Sequence, residues 1–190
     1  MDQNSIIIVS GLPRSGTSMM MKMLEAGGMS ILTDRIREAD EDNPLGYYEF
    51  ERVKQTEHDK TWLPEARGKA VKMVSALLKH LPPEYQYSIL FMQRDMDEIL
   101  ASQKKMLLRR GEPTDSVSNE RMAQVFEKHL AQMRAWLNHQ PNAKTLFVNY
   151  DETVQDPMTQ AQRVNEFLGG SLNIVEMAAV VDPKLHRQRH

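Results

Sequence analysis

The sequence predicts an α/β fold, a three-layer sandwich in which a mainly parallel sheet of about five strands carries helices on both faces. Three observations lead there. Short apolar runs alternate with amphipathic stretches along the chain, the pattern of parallel strands joined by helical crossovers. The first run, Ile6-Ile7-Ile8-Val9, is β-branched and apolar at consecutive positions, as a strand covered on both faces requires. That run passes through a glycine-bounded loop straight into a helical pattern, the strand–loop–helix unit that opens P-loop-type folds.

Residues 5–10 form the first strand. The helix after the loop runs from Met19 to Ala26 and stops at Gly27-Gly28. Met29 to Leu32 is a short strand. Residues 34–52 are acidic and loop-like, with Asn43-Pro44-Leu45-Gly46 as a turn, and residues 51–62 read as an exposed helix. Ala70-Val71-Lys72-Met73-Val74 is another strand, and Leu77 to Leu81 is helical until Pro82-Pro83 ends it. Tyr87 to Met92 is a strong strand. Asp95 or Asp97 caps the next helix, which Gly111 stops; its Met96, Ile99, Leu100, Gln103, Met106 and Leu107 lie near one face. Val117 to Asn138 carries an apolar stripe of Met122, Val125, Phe126, Leu130, Met133 and Leu137. Thr145 to Asn149 is the last strand. Asp156 and Pro157 open a final helix, closed by Gly169-Gly170. No repeat, low-complexity tract or linker breaks the pattern, so residues 1–190 read as one domain.

Composition narrows the function classes. A net charge of −2 over 190 residues argues against wholesale nucleic-acid binding but permits a local basic pocket. The chain has no cysteine, which excludes disulfides and thiolate metal sites. The histidines lack metal-ligand spacing, so no metal is expected. No signal-peptide pattern and no bilayer-length apolar run occurs, so the expectation is a cytoplasmic enzyme or binding protein without membrane insertion. Most of the 14 methionines are read as core filler.

Chemistry concentrates in Gly11-Leu12-Pro13-Arg14-Ser15-Gly16-Thr17-Ser18. Backbone N–H groups in such a loop, together with the positive end of the following helix, converge on one anion. Gly11 and Gly16 have the Walker A spacing, and Ser18 stands where that motif has Ser or Thr. Thr17 holds the place of the Walker lysine. The loop therefore indicates a phosphate-like anion and speaks against ATP or GTP hydrolysis. A P-loop nucleotide phosphotransferase or NTPase, with Ile89 to Asp95 as a Walker B strand, is one alternative. A nucleotide-binding module without turnover is another.

The loop resembles the 5′-phosphosulfate loop of sulfotransferases that use 3′-phosphoadenosine 5′-phosphosulfate (PAPS), and is closely similar to the Pro-Arg-Ser-Gly-Thr run of tyrosylprotein sulfotransferases and bacterial members. Arg94, after the strand ending at Met92, and Ser102, eight residues on, resemble the family's 3′-phosphate site. Val148 to Asp156-Pro157 and on to Gly169 is similar to its C-terminal signature. The three segments occur in family order, in a chain shorter than most members.

The resemblance implies a PAPS-dependent sulfotransferase that moves a sulfuryl group to a hydroxyl or amine of an unidentified acceptor and releases 3′,5′-adenosine bisphosphate (PAP). Arg14, Ser15, Gly16, Thr17 and Ser18 would hold the phosphosulfate. A forked cation and a hydroxyl, Arg94 and Ser102, suit the 3′-phosphate. Arg14 and Lys72 would neutralise charge on the leaving bridge. A lysine inside an apolar strand is costly unless it is paired or at the strand end, and the family places a lysine at the end of the corresponding strand. Gly46-Tyr47-Tyr48-Glu49 resembles a Gly-Tyr-x-Glu segment of bacterial members, which makes Glu49 the candidate general base. Glu51 and His58 are the alternatives. Lys184, Arg187 and Arg189 are candidates to close over the nucleotide. The basic helix end Lys104, Lys105, Arg109 and Arg110 reads as a solvated face. Tyr47, Tyr48, Phe50 and Trp62 read as packing residues.

Overall fold

A computed structural model describes residues 4–34, 36, 46–114 and 117–182. Four strands, β1 (Ile6–Gly11), β2 (Ala70–Val74), β3 (Tyr87–Gln93) and β4 (Ala143–Asn149), form one parallel sheet in the order β2-β1-β3-β4. The helices are α1 (Thr17–Ala26), α2 (Met96–Arg109), α3 (Asn119–Leu137), α4 (Tyr150–Gln155), α5 (Pro157–Phe167) and α6 (Ile174–Ala179).

The apolar run of β1 explains the three layers. Ile7 and Val9 point into one core with Met20, Met23, Leu24, Val164, Leu168 and Met177. Ile6 and Ile8 point into the other with Trp62, Leu63, Leu78, Met133 and Leu137. Successive side chains of a strand face opposite ways, so a run without polar positions needs cover on both sides. Helices α1, α5 and α6 supply one cover, and α3 with the 3₁₀ segments supplies the other.

The sheet has four strands where the sequence suggested about five. The segment Met29 to Leu32 contributes a single bridge, Ile31 to Ala70. The chain leaves the sheet there because Thr33 Oγ1 and the Asp34 N–H both bond to the carbonyl of Glu49. Residues 51–62 are not one exposed helix. They contain a 3₁₀ helix, Glu51–Gln55, and a second, Leu63–Ala66, follows; both anchor inward through Val53, Trp62 and Leu63. The Leu77–Leu81 helix is 3₁₀ as well, over Ser75–His80. Helices α4 and α6 were not expected. The turn residues Asn43, Pro44 and Leu45 and the C-terminal cations Lys184, Arg187 and Arg189 lie outside the described residues. Among the described residues, no helix is long and apolar enough to cross a membrane.

The carboxyl ends of the strands carry the loops that matter. Gly11, the last residue of β1, lies between Val74 of β2 and Met92 of β3, so the loop it opens sits above the middle of the sheet. One tie secures the β2 side: Ser75 Oγ lies 2.8 Å from Nε2 of His129 on α3. Burial, with the nearby Lys79 charge, holds His129 below the ordinary histidine range. The unfolded chain therefore binds a proton there more readily, and this contribution to stability is lost as pH falls through that range. Denaturant unfolding at about pH 7.5 and about pH 5.5 checks this: the wild type should lose more stability on acidification than His129→Gln.

Candidate functional site

The loop from Gly11 to Gly16 is closed by tight contacts. A Cβ on Gly11 (φ 152°) would stand 2.4 Å from Ser15 Oγ and 2.8 Å from the Met92 carbonyl oxygen. A Cβ on Gly16 (φ 98°) would stand 2.4 Å from the Tyr150 ring. Both positions need glycine, for the left-handed backbone and for the space. Arg14 adopts φ 73° without being glycine, a conformation that costs about 1–2 kcal/mol. The only other such residue among those described is Tyr48, φ 52°, directly before Glu49. Strained backbone clusters at functional sites, and here both instances flank residues singled out from sequence.

Helix α1 starts at Gly16 with no side-chain cap and no acid in its first turn. The other described α-helices are capped by Asp95, Ser118, Asn149, Asp156 and Asn173. The first N–H groups of α1 are thus left to a ligand or water, at the positive end of the helix dipole. Thr17 and Ser18 are half-buried on that first turn. Ser15 is different. Its N–H bonds to the Leu12 carbonyl, 3.2 Å, and its hydroxyl is buried inside the loop with no hydrogen-bond partner among the described residues.

Cations flank this turn on two sides. On the β2 side, Lys72 is not at the strand end but opposite Val9, the third of five strand residues. Its amine reaches the first turn of α1. Nζ donates to the Tyr47 carbonyl and to Ser18 Oγ, 3.4 Å, and lies 3.9 Å from Glu49 Oε1. Those partners are what make a lysine within a strand tolerable. Glu49 is largely buried, with Oε2 also 3.4 Å from Lys54 Nζ. Glu51 is more exposed; its carboxylate binds Lys54 at 2.6 Å and its N–H donates to Asp34. Lys54 is held above its ordinary range, chiefly by that hydrogen bond to Glu51. His58 is 79% exposed, with its Nε2 4.0 Å from Glu57. Of the three candidate bases, the structure brings Glu49 to Lys72.

On the β3 side, Arg14 Nε donates to Ser102 Oγ, 2.9 Å, which joins the loop to α2. Arg94, two residues before α2, donates from Nη1 to the Arg14 carbonyl, 3.2 Å, and from Nε to Glu98 Oε2, 2.7 Å. Its guanidinium lies 4.2 Å from the centre of the Tyr150 ring, a cation–π contact. Burial raises the Tyr150 hydroxyl above its usual range, and Arg94 opposes that rise.

Two participants were not expected from the sequence. Glu98 had only a weak signal, an acid four residues after an arginine, because Arg94 lies ahead of the helix on which that spacing pairs residues. Tyr150 had none for this role, because its neighbours Gly16 and Arg94 are far away in the chain. Among the described residues no group of His, Asp and Glu is arranged to hold a metal ion.

Comparison with known proteins gives the family and the fold. The family model described as "Sulfotransferase domain" matches residues 4–186. A sulfotransferase domain from the curacin biosynthetic pathway superimposes with a TM-score of 0.57 at 15% identity, over 98% of this chain and 90% of that one. A sulfotransferase domain from the Synechococcus PCC 7002 olefin synthase gives 0.58 at 15% identity, over 99% and 84%. Mouse sulfotransferase SULT7A1, crystallised with PAP, gives 0.50 at 16% identity, over 95% and 63%. At these identities the likeness is one of fold. No curated protein matches the chain by sequence.

The Gly16–Tyr150 contact gives a direct test. Gly16→Ala combines a left-handed alanine with a ring overlap and should lose about 2 kcal/mol or more of stability in chemical denaturation. Tyr150→Ala in the same protein should recover the overlap share, so the double variant loses less than the sum of the two single losses.

Proposed function

The chain belongs to the sulfotransferase family, and from that premise we propose that it uses PAPS as sulfuryl donor, with the two ends of the donor held on the two cationic sides of the Gly11–Gly16 loop. One observation carries the reading. A single uncapped helix start has Lys72 beside Ser18 on one side, and Arg14 and Arg94 beside Ser102 on the other. PAPS likewise carries charge at a 5′-phosphosulfate and a separate 3′-phosphate. The PAP in the crystals of the mouse relative is the product such a donor leaves.

In this reading the N–H groups opening α1 and the hydroxyls of Thr17 and Ser18 hold the phosphosulfate, with Gly16 granting close approach. Ser15 shapes the loop from inside. Arg94 and Ser102 hold the 3′-phosphate. Arg14 spans the two ends: its backbone belongs to the phosphosulfate loop and its side chain reaches Ser102. Bound there, PAPS supplies a sulfuryl group joined to its 5′-phosphate through a bridging oxygen. Glu49 takes the proton of the acceptor hydroxyl as that oxygen bonds to sulfur. The bridging oxygen keeps the electron pair of the bond that breaks, and Lys72 offsets its growing charge. The amine of Lys72 is fixed beforehand by Tyr47 and Ser18, and preorganisation of this kind makes such stabilisation effective.

Transfer of label from PAPS to acceptors in a mixed extract tests the function. PAP binding with no transfer to any acceptor would instead indicate a binding module. Glu49→Gln should keep PAP affinity and lose about a hundredfold or more in transfer rate. Lys72→Met should act the same way through the leaving oxygen, at about a hundredfold. Arg94→Ala should weaken PAP about tenfold or more while leaving adenosine 5′-monophosphate, which lacks the 3′-phosphate, nearly unchanged. Calorimetry separates those two ligands.

A further inference from the structure

An acid stands where the 3′-phosphate reading calls for positive charge. Glu98 Oε2 lies 2.7 Å from Arg94 Nε, and both side chains are only 7% exposed. Surface pairs at this spacing are common helix decoration. This pair is withdrawn from water, so its geometry is fixed and its charges are weakly screened. A carboxylate so close to the ligand's own negative charge can only weaken attraction to it. Its presence calls for a compensating use.

We propose that Glu98 is a positioning residue of the 3′-phosphate subsite, holding Arg94 by Nε so that the outer end of the guanidinium is turned to the ligand. The proposal rests on the assignment of Arg94 to that phosphate. A guanidinium can meet an oxyanion side-on, through Nε and Nη2, or end-on, through its two Nη groups. Glu98 occupies Nε, which closes the side-on mode. The Arg14 carbonyl takes one hydrogen of Nη1, and the Tyr150 ring covers one face. Three restraints from α2, the loop and α4 thus fix one orientation. Nη2 has no partner among the described residues and is left for the phosphate. An arginine already ordered loses less side-chain freedom when the ligand arrives. In the ligand-free protein the same carboxylate spares Arg94 from standing buried and unpaired.

Geometry and charge make opposite demands here, and two variants separate them. Glu98→Gln removes the charge but keeps an oxygen at the same reach for Nε–H. Glu98→Asp keeps the charge but is one methylene shorter and withdraws the oxygen. The affinities of PAP and adenosine 5′-monophosphate are measured by calorimetry on each folded protein, and their ratio reports the 3′-phosphate contact alone. Glu98→Asp should lower that ratio about tenfold, the worth of a well-aligned bond to a charged group. Glu98→Gln should hold it within about threefold of wild type. An Asp variant that weakens both ligands alike, or leaves the ratio unchanged, overturns the proposal, because Glu98 then merely holds the fold. A Gln variant that falls as far as Asp overturns it too, since charge would outweigh placement. A wild-type protein that binds PAP no better than adenosine 5′-monophosphate overturns the underlying assignment of Arg94 instead.

Discussion

The site depends on the approach of Gly16 to the ring of Tyr150. The ring fills the space where any side chain at position 16 would stand, and it also lies beneath the guanidinium of Arg94. One aromatic side chain therefore sets the distance between the opening of α1 and the start of α2. The ring is placed in turn by the end of β4, where Asn149 caps α4 and makes Tyr150 its first residue. Sheet register carries the constraint further. Gln93 and Asn149 end neighbouring strands as register partners, and the carbonyl of Met92, one residue earlier, limits the loop at Gly11. Loop, arginine and helix start are thus placed by three strands at once. The backbone strain at Arg14 persists because its surroundings over-determine it.

Charge is arranged by a second rule. The two inward cations met at the loop flanks, Lys72 and Arg94, each face a carboxylate, Glu49 at 3.9 Å and Glu98 at 2.7 Å. A protein that must hold cations near its interior cannot leave them unpaired while it waits for ligand. The acids answer that need, and their separations differ. Arg94 and Glu98 sit within bonding distance, which suits a group that has to be held still. Lys72 and Glu49 are further apart, with the amine bonded instead to the Tyr47 carbonyl and Ser18. At that separation the two charges attract without a direct hydrogen bond between Nζ and Oε1.

What the sequence made legible follows from distance along the chain. The loop and its helix are one contiguous segment, and Arg94 and Ser102 lie on one strand–helix junction, so a resemblance carried by short local segments could single them out. The alternating cores followed from the unbroken run of β1. The meeting of Lys72, Ser18 and Glu49 did not, because it depends on β2 lying beside β1 in one register, Val9 against Lys72. Tyr150 stayed hidden for the same reason. Helices α4 and α6, six residues each, are too short to show a helical period. Residues 51–62 read as one exposed helix although only Glu51–Gln55 is helical, and 3₁₀, because inward residues in a 3₁₀ turn recur at threes, which a short window does not separate from an α-helix.

The position of Lys72 changes what the missing Walker lysine means. In a Walker loop the cation sits on the loop, one residue before the hydroxyl, and belongs to the nucleotide side alone. Here Thr17 takes that place and an amine reaches the next residue, Ser18, from the neighbouring strand. Because Nζ is also held by the Tyr47 carbonyl and faces Glu49, its position is tied to the segment that carries the proposed base. Tyr48 fixes that segment through its left-handed backbone and its 2.6 Å bond to Glu25 on α1. The proposed donor and acceptor sides thus share one network of contacts between α1, β2 and residues 47–49. A sulfuryl group passing between two oxygens needs the leaving charge and the incoming proton to be handled close together. A cation delivered from a strand can stand between the two, which a lysine confined to the phosphate loop does not do.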